Sequence, residues 1–208
     1  EEIDMHCYRI LQAKEWAGLA KKSELRVAQV YEDLNNTQAM KMRREMIEQS
    51  ITVVKNDNNT IPLSHVVGNR VAVVSVGTER KGEFHETIAH YGEFDHFVME
   101  KSPELNRAIY WQETLSKYDV VIAALVNTSN KPERNFGVTN ESVRILNSVG
   151  ESSKVILSVL ANPYALNTLK DFSNIEAVVV AYQDDPMTQI AVAETVVGAI
   201  AANGSLPV

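Results

Sequence analysis

Short runs of β-branched and other apolar residues, separated by stretches with helical spacing, constrain the fold of this chain more than any other feature. Most of these runs are apolar throughout, which is typical of strands buried on both faces of a parallel sheet. Alternation of strand and helix predicts βα units, with helices covering both sides of the sheet. The predicted strands are Arg70–Val76, Glu93–Met99, Asp119–Val126, Lys154–Leu160 and Ala177–Ala181. We therefore predict an α/β fold: a doubly wound, mainly parallel, flavodoxin-like sheet with helices on both faces, preceded by an N-terminal helical arm.

The helices between the strands follow from apolar spacing and capping residues. They are predicted in the eighties and at Asn106–Lys117, Asn140–Val149 and Tyr164–Asp171. The last helix has the clearest boundaries, because Asp185 is a good N-cap and Pro186 suits the first helical position. The Asn203-Gly204 pair predicts its end, since glycine readily adopts the left-handed conformation that terminates helices.

The first part of the chain predicts a charged helical arm over residues 1–49, followed by an α/β domain over residues 50–208. A loose helical pattern over 4–34, which includes Leu25, is interrupted at Gly18. Thr37 is a suitable N-cap for a second helix over 38–49. The apolar residues that we expect to face inward from this second helix are Met42, Met46 and Ile47. A short strand at Ser50–Lys55 then opens the α/β domain.

The bulk properties exclude several classes of partner. The net charge of −7 argues against nucleic-acid binding, which needs a basic face. No apolar run reaches the roughly 18 residues that a membrane-spanning helix needs, so we expect no span. Cys7 is the single cysteine and cannot form an internal disulfide; we expect a buried structural thiol. The chain begins at Glu1 rather than at a methionine, so we expect it to continue upstream.

Candidate site residues lie in the loops that follow the predicted strands, because open parallel sheets bind ligands at the carboxyl ends of their strands. These loops are Gly77–Gly82, Asn127–Gly137, Asn162–Tyr164 and Gln183–Asp185. The candidates for a substrate cleft or an interdomain contact are Asn127, Asn130, Asn162, Tyr164, Tyr182 and Asp184. Two interpretations stay open for each tyrosine: stacking on a sugar or another domain, or packing under its own loop. Asp184 could reach a substrate, reach a partner loop or face water.

Several chemistries that such a sheet can support fail on the residues present. Gly77–Gly82 has the two-glycine spacing of a phosphate loop, but Glu83 and Phe84 stand where Lys and Ser/Thr are needed. A phosphoacceptor domain needs acidic residues at strand ends that here read Ser75-Val76-Gly77 and Leu125-Val126-Asn127. His85 and His90 lie five residues apart, which is not the spacing of a zinc pair on one helix face. We therefore predict no cofactor, no metal and no catalytic residue in this chain.

Several short sequence motifs of this chain resemble motifs of glycoside hydrolase family 3, and together they extend over nearly the whole chain. Arg9–Lys14 and Gly18-Leu19 resemble the linker helix that leaves the first domain of that family, and Ser50–Asn56 with Ile61-Pro62-Leu63 resembles the entry to its second domain. Gly204–Val208 resembles the phrase that closes this region. Asn162–Leu166 and Ala181–Asp184 resemble the β-N-acetylglucosaminidase branch, whose members are often large bacterial envelope proteins.

The resemblance also implies which domain of the family's proteins carries the catalytic residues. The first domain of the family is a catalytic barrel that supplies the nucleophile and, in the β-N-acetylglucosaminidase branch, the acid/base pair. None of those motifs occurs here. The β-glucosidase branch carries its acid/base glutamate in the second domain, but the matching stretch Val126–Asn130 has no glutamate, and Glu133-Arg134 matches a later phrase.

Two main functions therefore stay open at this stage, and an independent nucleotide-using enzyme is a third alternative. The resemblance implies a non-catalytic C-terminal domain of a β-N-acetylglucosaminidase, packed on an upstream barrel, walling a carbohydrate cleft and located in the periplasm or cell envelope. The alternative is a stand-alone α/β module that binds a ligand or a protein in its strand-end crevice. Fold alone does not decide between them.

Overall fold

The computed structural model describes residues 2–21, 27–63 and 68–207. The chain divides into two compact units, one up to Lys41 and one from Met42 onward. The first unit contains helices α1 (Glu2–Trp16) and α2 (Val30–Leu34), with a 3₁₀ turn at Val27–Gln29. Helix α3 (Thr37–Ser50) crosses the division. Leu25 and Val208, which are part of the predictions made from the sequence, lie outside the described residues.

The second unit is built on a six-stranded sheet in the order β1-β6-β5-β4-β2-β3. Five strands are parallel, and β1 pairs with β6 in the antiparallel direction. The strands are β1 (Thr52–Asn56), β2 (Val71–Val76), β3 (Asp95–Met99), β4 (Val120–Leu125), β5 (Lys154–Val159) and β6 (Ala177–Val180). The parallel part has the flavodoxin-like order, so the predicted fold class is confirmed.

Helices cover both faces of the sheet, as its continuously apolar strands require. The helices that follow α3 are α4 (Glu83–Ala89), α5 (Leu105–Leu115), α6 (Asn140–Val149) and α7 (Pro186–Val197). One apolar core lies under α5 and α6 and includes Trp111 and Leu146. The other lies under α4 and α7 and includes Phe84, Val192 and, from the end of α3, Ile47. Two separate cores, one on each face, are what a doubly wound sheet needs.

Helix α7 begins as predicted and ends earlier than predicted. The Asp185 carboxylate accepts hydrogen bonds from the backbone N–H groups of Met187 at 3.0 Å and Thr188 at 3.2 Å, as an N-cap does. The helix stops at Val197, where Gly198 takes a left-handed φ of 83°. The predicted end at Asn203-Gly204 is therefore wrong. Gly204 instead donates its N–H to the Ile51 carbonyl and brings the C-terminal tail beside the start of β1.

Smaller predictions also need correction. Asn36, and not Thr37, caps α3, because the Asn36 side chain accepts a hydrogen bond from Ala39 N–H at 2.9 Å. Met42 and Met46 are exposed, so Ile47 is the predicted inward residue that is buried. Cys7 is exposed rather than buried. The helix predicted at 164–171 is a 3₁₀ turn at Pro163–Asn167.

Candidate functional site

The carboxyl ends of β2 and β4 border a cleft that we call the switch-point cleft, because the strand order reverses between these two strands. Its larger part has a volume of about 550 Å³ and is lined by Gly77, Thr78, Glu79, Arg80, Glu100, Lys101 and Asn127. A smaller recess of about 180 Å³ is lined by Ser75, Thr78, Arg80, Gly82, Val126, Asn127, Asp184 and Gln189. Asn127, Thr78 and Arg80 line both parts, so they lie where the two parts meet.

Asn127 has an unusual backbone conformation at this point. Its φ is +54°, a left-handed value that asparagine tolerates better than most residues. Its N–H donates to Asp184 Oδ2, and its carbonyl oxygen accepts a hydrogen bond from Lys101 Nζ. A carboxylate and an ammonium group therefore hold the two sides of one residue's backbone.

Lys101 closes the neck of the loop that follows β4. Its Nζ donates to the carbonyl oxygens of Asn127 and Gly137, which lie at the two ends of that loop. Burial lowers the pKa of Lys101 below its ordinary value, and the Asp184 carboxylate opposes this effect. A Cβ at Gly77 would lie 2.4 Å from Lys101 Cε and 2.7 Å from the Val126 carbonyl oxygen, and the φ of +100° is left-handed, so the position favours glycine.

Asp184 connects three loops of the strand-end edge. Besides accepting from Asn127, its Oδ1 accepts a hydrogen bond from Gln189 Nε2 on α7 at 2.8 Å. Gln189 Oε1 in turn accepts from Phe84 N–H at the start of α4. Both oxygens of Asp184 are thus used inside the protein, which accounts for this carboxylate without a substrate.

Glu100, a second carboxylate in the cleft, is also held by neighbours. Its Oε2 accepts from Trp111 Nε1 at 2.7 Å, and its Oε1 accepts from Arg107 Nε at 2.9 Å. Although burial opposes ionisation, hydrogen bonds from its own backbone N–H, Trp111 and Arg107 hold the pKa of Glu100 below its ordinary value. A carboxylate of this kind is a poor general acid at neutral pH, because that role needs a raised pKa.

The other candidates predicted from the sequence lie outside the cleft lining. Asn162 Oδ1 accepts from Tyr164 N–H at 3.1 Å and so caps the 163–167 turn. Tyr164 is 54% exposed. Tyr182, also left-handed at φ 62°, bonds through its hydroxyl to Thr52 Oγ1 at 2.8 Å, and thereby joins the loop after β6 to β1. Asn130 is exposed. Of the six candidates, Asn127 and Asp184 are brought together at the cleft.

Glu100 and Lys101, which follow β3 directly, were not among the residues predicted from the sequence. The strand-end rule that selected the other loops applies to β3 as well, and it could have found both residues. The pairing of Lys101 with Gly77 had no signal in the sequence. Within residues 2–21, 27–63 and 68–207, no cluster of three or more His, Cys, Asp or Glu side chains suits a metal ion. No helix in the described part of the chain is long and apolar enough to cross a bilayer.

Comparison with solved structures identifies the fold. A family 3 β-N-acetylglucosaminidase from Paenibacillus sp. str. FPU-7 matches 99% of this chain at 17% identity and a TM-score of 0.65. A β-glucosidase from Erythrobacter marinus matches 92% at 16% identity and a TM-score of 0.64. A fungal multi-domain family 3 β-N-acetylglucosaminidase matches 96% at 18% identity and a TM-score of 0.60. No protein-family model and no curated protein sequence matches this chain.

The chain therefore has a fold like that of the C-terminal domain of glycoside hydrolase family 3 proteins, as the resemblance predicted. It spans 39% of the Paenibacillus enzyme, 32% of the Erythrobacter enzyme and 22% of the fungal enzyme. At these identities the likeness establishes the fold alone, and function has to be argued from the site.

Proposed function

We propose that this chain is the C-terminal α/β domain of a glycosidase that hydrolyses β-N-acetylglucosaminides, and that it packs on a catalytic barrel of the same polypeptide. The observation that carries the proposal is the extent of the fold match: 99% of this chain corresponds to 39% of a β-N-acetylglucosaminidase. The phrases at Asn162–Leu166 and Ala181–Asp184 resemble the same branch and support the choice of sugar.

The role we propose for the domain is to wall the substrate cleft without performing chemistry. Retaining glycosidases need two carboxyl groups that act as a nucleophile and an acid/base. Here Asp184 and Glu100 are each bonded through both oxygens to neighbouring groups, and the pKa of Glu100 is lowered. Glu79, the remaining carboxylate of the larger cavity, is exposed. These environments favour a scaffold over a catalytic centre.

The test compares the 208-residue chain with the polypeptide extended upstream to its start codon. Both are assayed with p-nitrophenyl N-acetyl-β-glucosaminide and, in parallel, with p-nitrophenyl β-glucoside. We expect turnover of the N-acetylglucosaminide by the extended protein and none by the 208-residue chain. Turnover by the short chain that disappears in Glu100→Gln or Asp184→Asn would contradict the non-catalytic role. A preference for the glucoside would contradict the choice of sugar alone.

A stand-alone binding module is the second candidate, and the cleft of about 550 Å³ at the switch point favours it, because open α/β sheets bind small ligands there. An open reading frame that starts close to Glu1 would support this candidate over the first. Thermal-shift measurements on the short chain with sugars and nucleotides would then identify the ligand class. A nucleotide-dependent shift would also overturn the prediction, made from Gly77–Gly82, that the chain takes no cofactor.

A further inference from the structure

The switch-point cleft contains a residue, Asn127, whose backbone is held on both sides while its polar side chain stays free. The backbone of Asn127 is held on one side by Asp184 and on the other by Lys101. Its carboxamide has no hydrogen-bond partner among the described residues, and the residue is exposed where the two parts of the cleft meet. An unpaired side chain on a backbone that is already held suits ligand recognition, because a ligand has to order only the side-chain torsions.

We infer that Asn127 is the residue of this cleft that contacts the ligand, and that Lys101 and Asp184 are its positioning residues. This inference rests on the proposed function for the identity of the ligand. A carboxamide carries one acceptor and two donor hydrogens and no charge. It therefore suits the hydroxyl or acetamido groups of a neutral sugar.

The neighbours of Asn127 explain why a positioning device is needed. The loop from Asn127 to Gly137 would be free to open if its ends were not joined, and Lys101 Nζ joins them through two carbonyl oxygens. Ser129 N–H donates to Phe136 O at 2.9 Å inside the same neck. Asp184 fixes the other side of Asn127 and is itself held by Gln189 at 2.8 Å.

A matched pair of variants separates the side chain from the backbone conformation. Asn127→Gly keeps the left-handed conformation and removes the carboxamide. Asn59→Gly makes the same change at another exposed, left-handed asparagine, with φ +53°, after β1 at the opposite edge of the sheet. In the extended enzyme we expect KM to rise about five- to tenfold for Asn127→Gly, the factor for one net hydrogen bond, with kcat within about twofold. Asn59→Gly should keep both constants.

The positioning role has its own readouts. Lys101→Met should raise KM by a similar factor, and adding it to Asn127→Gly should raise KM no further, because Lys101 acts through Asn127. In the 208-residue chain, hydrogen exchange at the Ser129 amide should become faster in Lys101→Met and stay unchanged in Asn127→Gly.

The outcomes distinguish the two proposals. Wild-type KM for Asn127→Gly in an active extended enzyme would overturn the contact role of Asn127 and leave the proposed function standing. Additive KM effects, or unchanged exchange at Ser129 in Lys101→Met, would overturn the positioning role. An extended protein without glycosidase activity would overturn the proposed function, and with it the sugar assigned to Asn127. The exchange measurement on the 208-residue chain would still decide whether Lys101 closes the loop.

Discussion

The histidine pair between α4 and β3 should make this domain lose stability as the pH falls below neutrality. His85 on α4 is 2% exposed, and its Nδ1 lies 2.8 Å from Nδ1 of His96 on β3. His85 Nε2 is buried without a hydrogen-bond partner. One hydrogen bond between two imidazoles needs one donor and one acceptor, so the pair is compatible with two neutral rings. A second proton between the two nitrogens would remove the acceptor and break the bond.

The direction and size follow from the pKa values. Burial, then the charges of His96 and Lys81, lowers the pKa of His85 to about 4. Burial and Lys81 also lower the pKa of His96, and Asp95 opposes the shift. The unfolded chain, with a histidine pKa of about 6.5, therefore binds a proton that folded His85 does not. The contribution of His85 to the free energy of unfolding is complete above a pH of about 6.5 and is lost as the pH falls towards about 4. At pH 5 the loss from His85 is about 2 kcal/mol.

Urea unfolding of the 208-residue chain at pH 7.5 and pH 5, followed by circular dichroism, measures this loss. His85→Gln removes the titrating group and should lose about 2 kcal/mol less than the wild type between the two pH values, whatever its stability at pH 7.5. His90→Gln is the matched control, because His90 is exposed at the end of the same helix. Equal pH dependence in wild type and His85→Gln would refute the reasoning.

Two further predictions concern residues that shape the strand-end loops, and both are measured by urea unfolding at pH 7.5. Gly77→Ala should destabilise the domain by about 2 kcal/mol or more, because φ is +100° and the new Cβ would lie 2.7 Å from the Val126 carbonyl oxygen; a loss below about 0.5 kcal/mol would contradict the crowding. Asp185→Ala should cost about 1–2 kcal/mol through the lost cap of α7, and Asp185→Asn should restore most of it. Equal losses in the two Asp185 variants would show that the carboxylate does something other than cap.

Continuous apolar runs identified the central strands of the sheet, because these strands are buried on both faces and their sequences show the burial directly. Val71–Val76 and Val120–Leu125 are buried at every position. The end of α7 was harder to predict for a physical reason. Gly198 and Gly204 both lie near the C terminus, and the choice between them depends on Gly204 bonding to Ile51, about 150 residues away in sequence.

The sequence was enough to predict where the candidate site lies, but not which of its residues bond to or contact one another. The strand-end rule placed Asn127 and Asp184 at the correct edge, since that rule depends only on strand direction. That Asp184 accepts a hydrogen bond from the Asn127 backbone depends on the left-handed conformation of Asn127. The close approach of the Lys101 side chain to Gly77 likewise depends on tertiary packing, which no local sequence pattern indicates.

The hydrogen bonds within the site also bear on which ligands the cleft can recognise. Lys101, Asp184 and Glu100 are charged, and each has its charge directed to a partner inside the domain: two carbonyl oxygens, two amide N–H groups, and an indole with a guanidinium group. A ligand that bound to any of these three charges would have to compete with its partner, at a cost in buried unpaired groups. A neutral ligand can instead use the free carboxamide of Asn127 without disturbing any of them. The charges of these three residues are therefore used inside the domain, whereas the carboxamide of Asn127 and the exposed guanidinium of Arg80 remain accessible from the cleft.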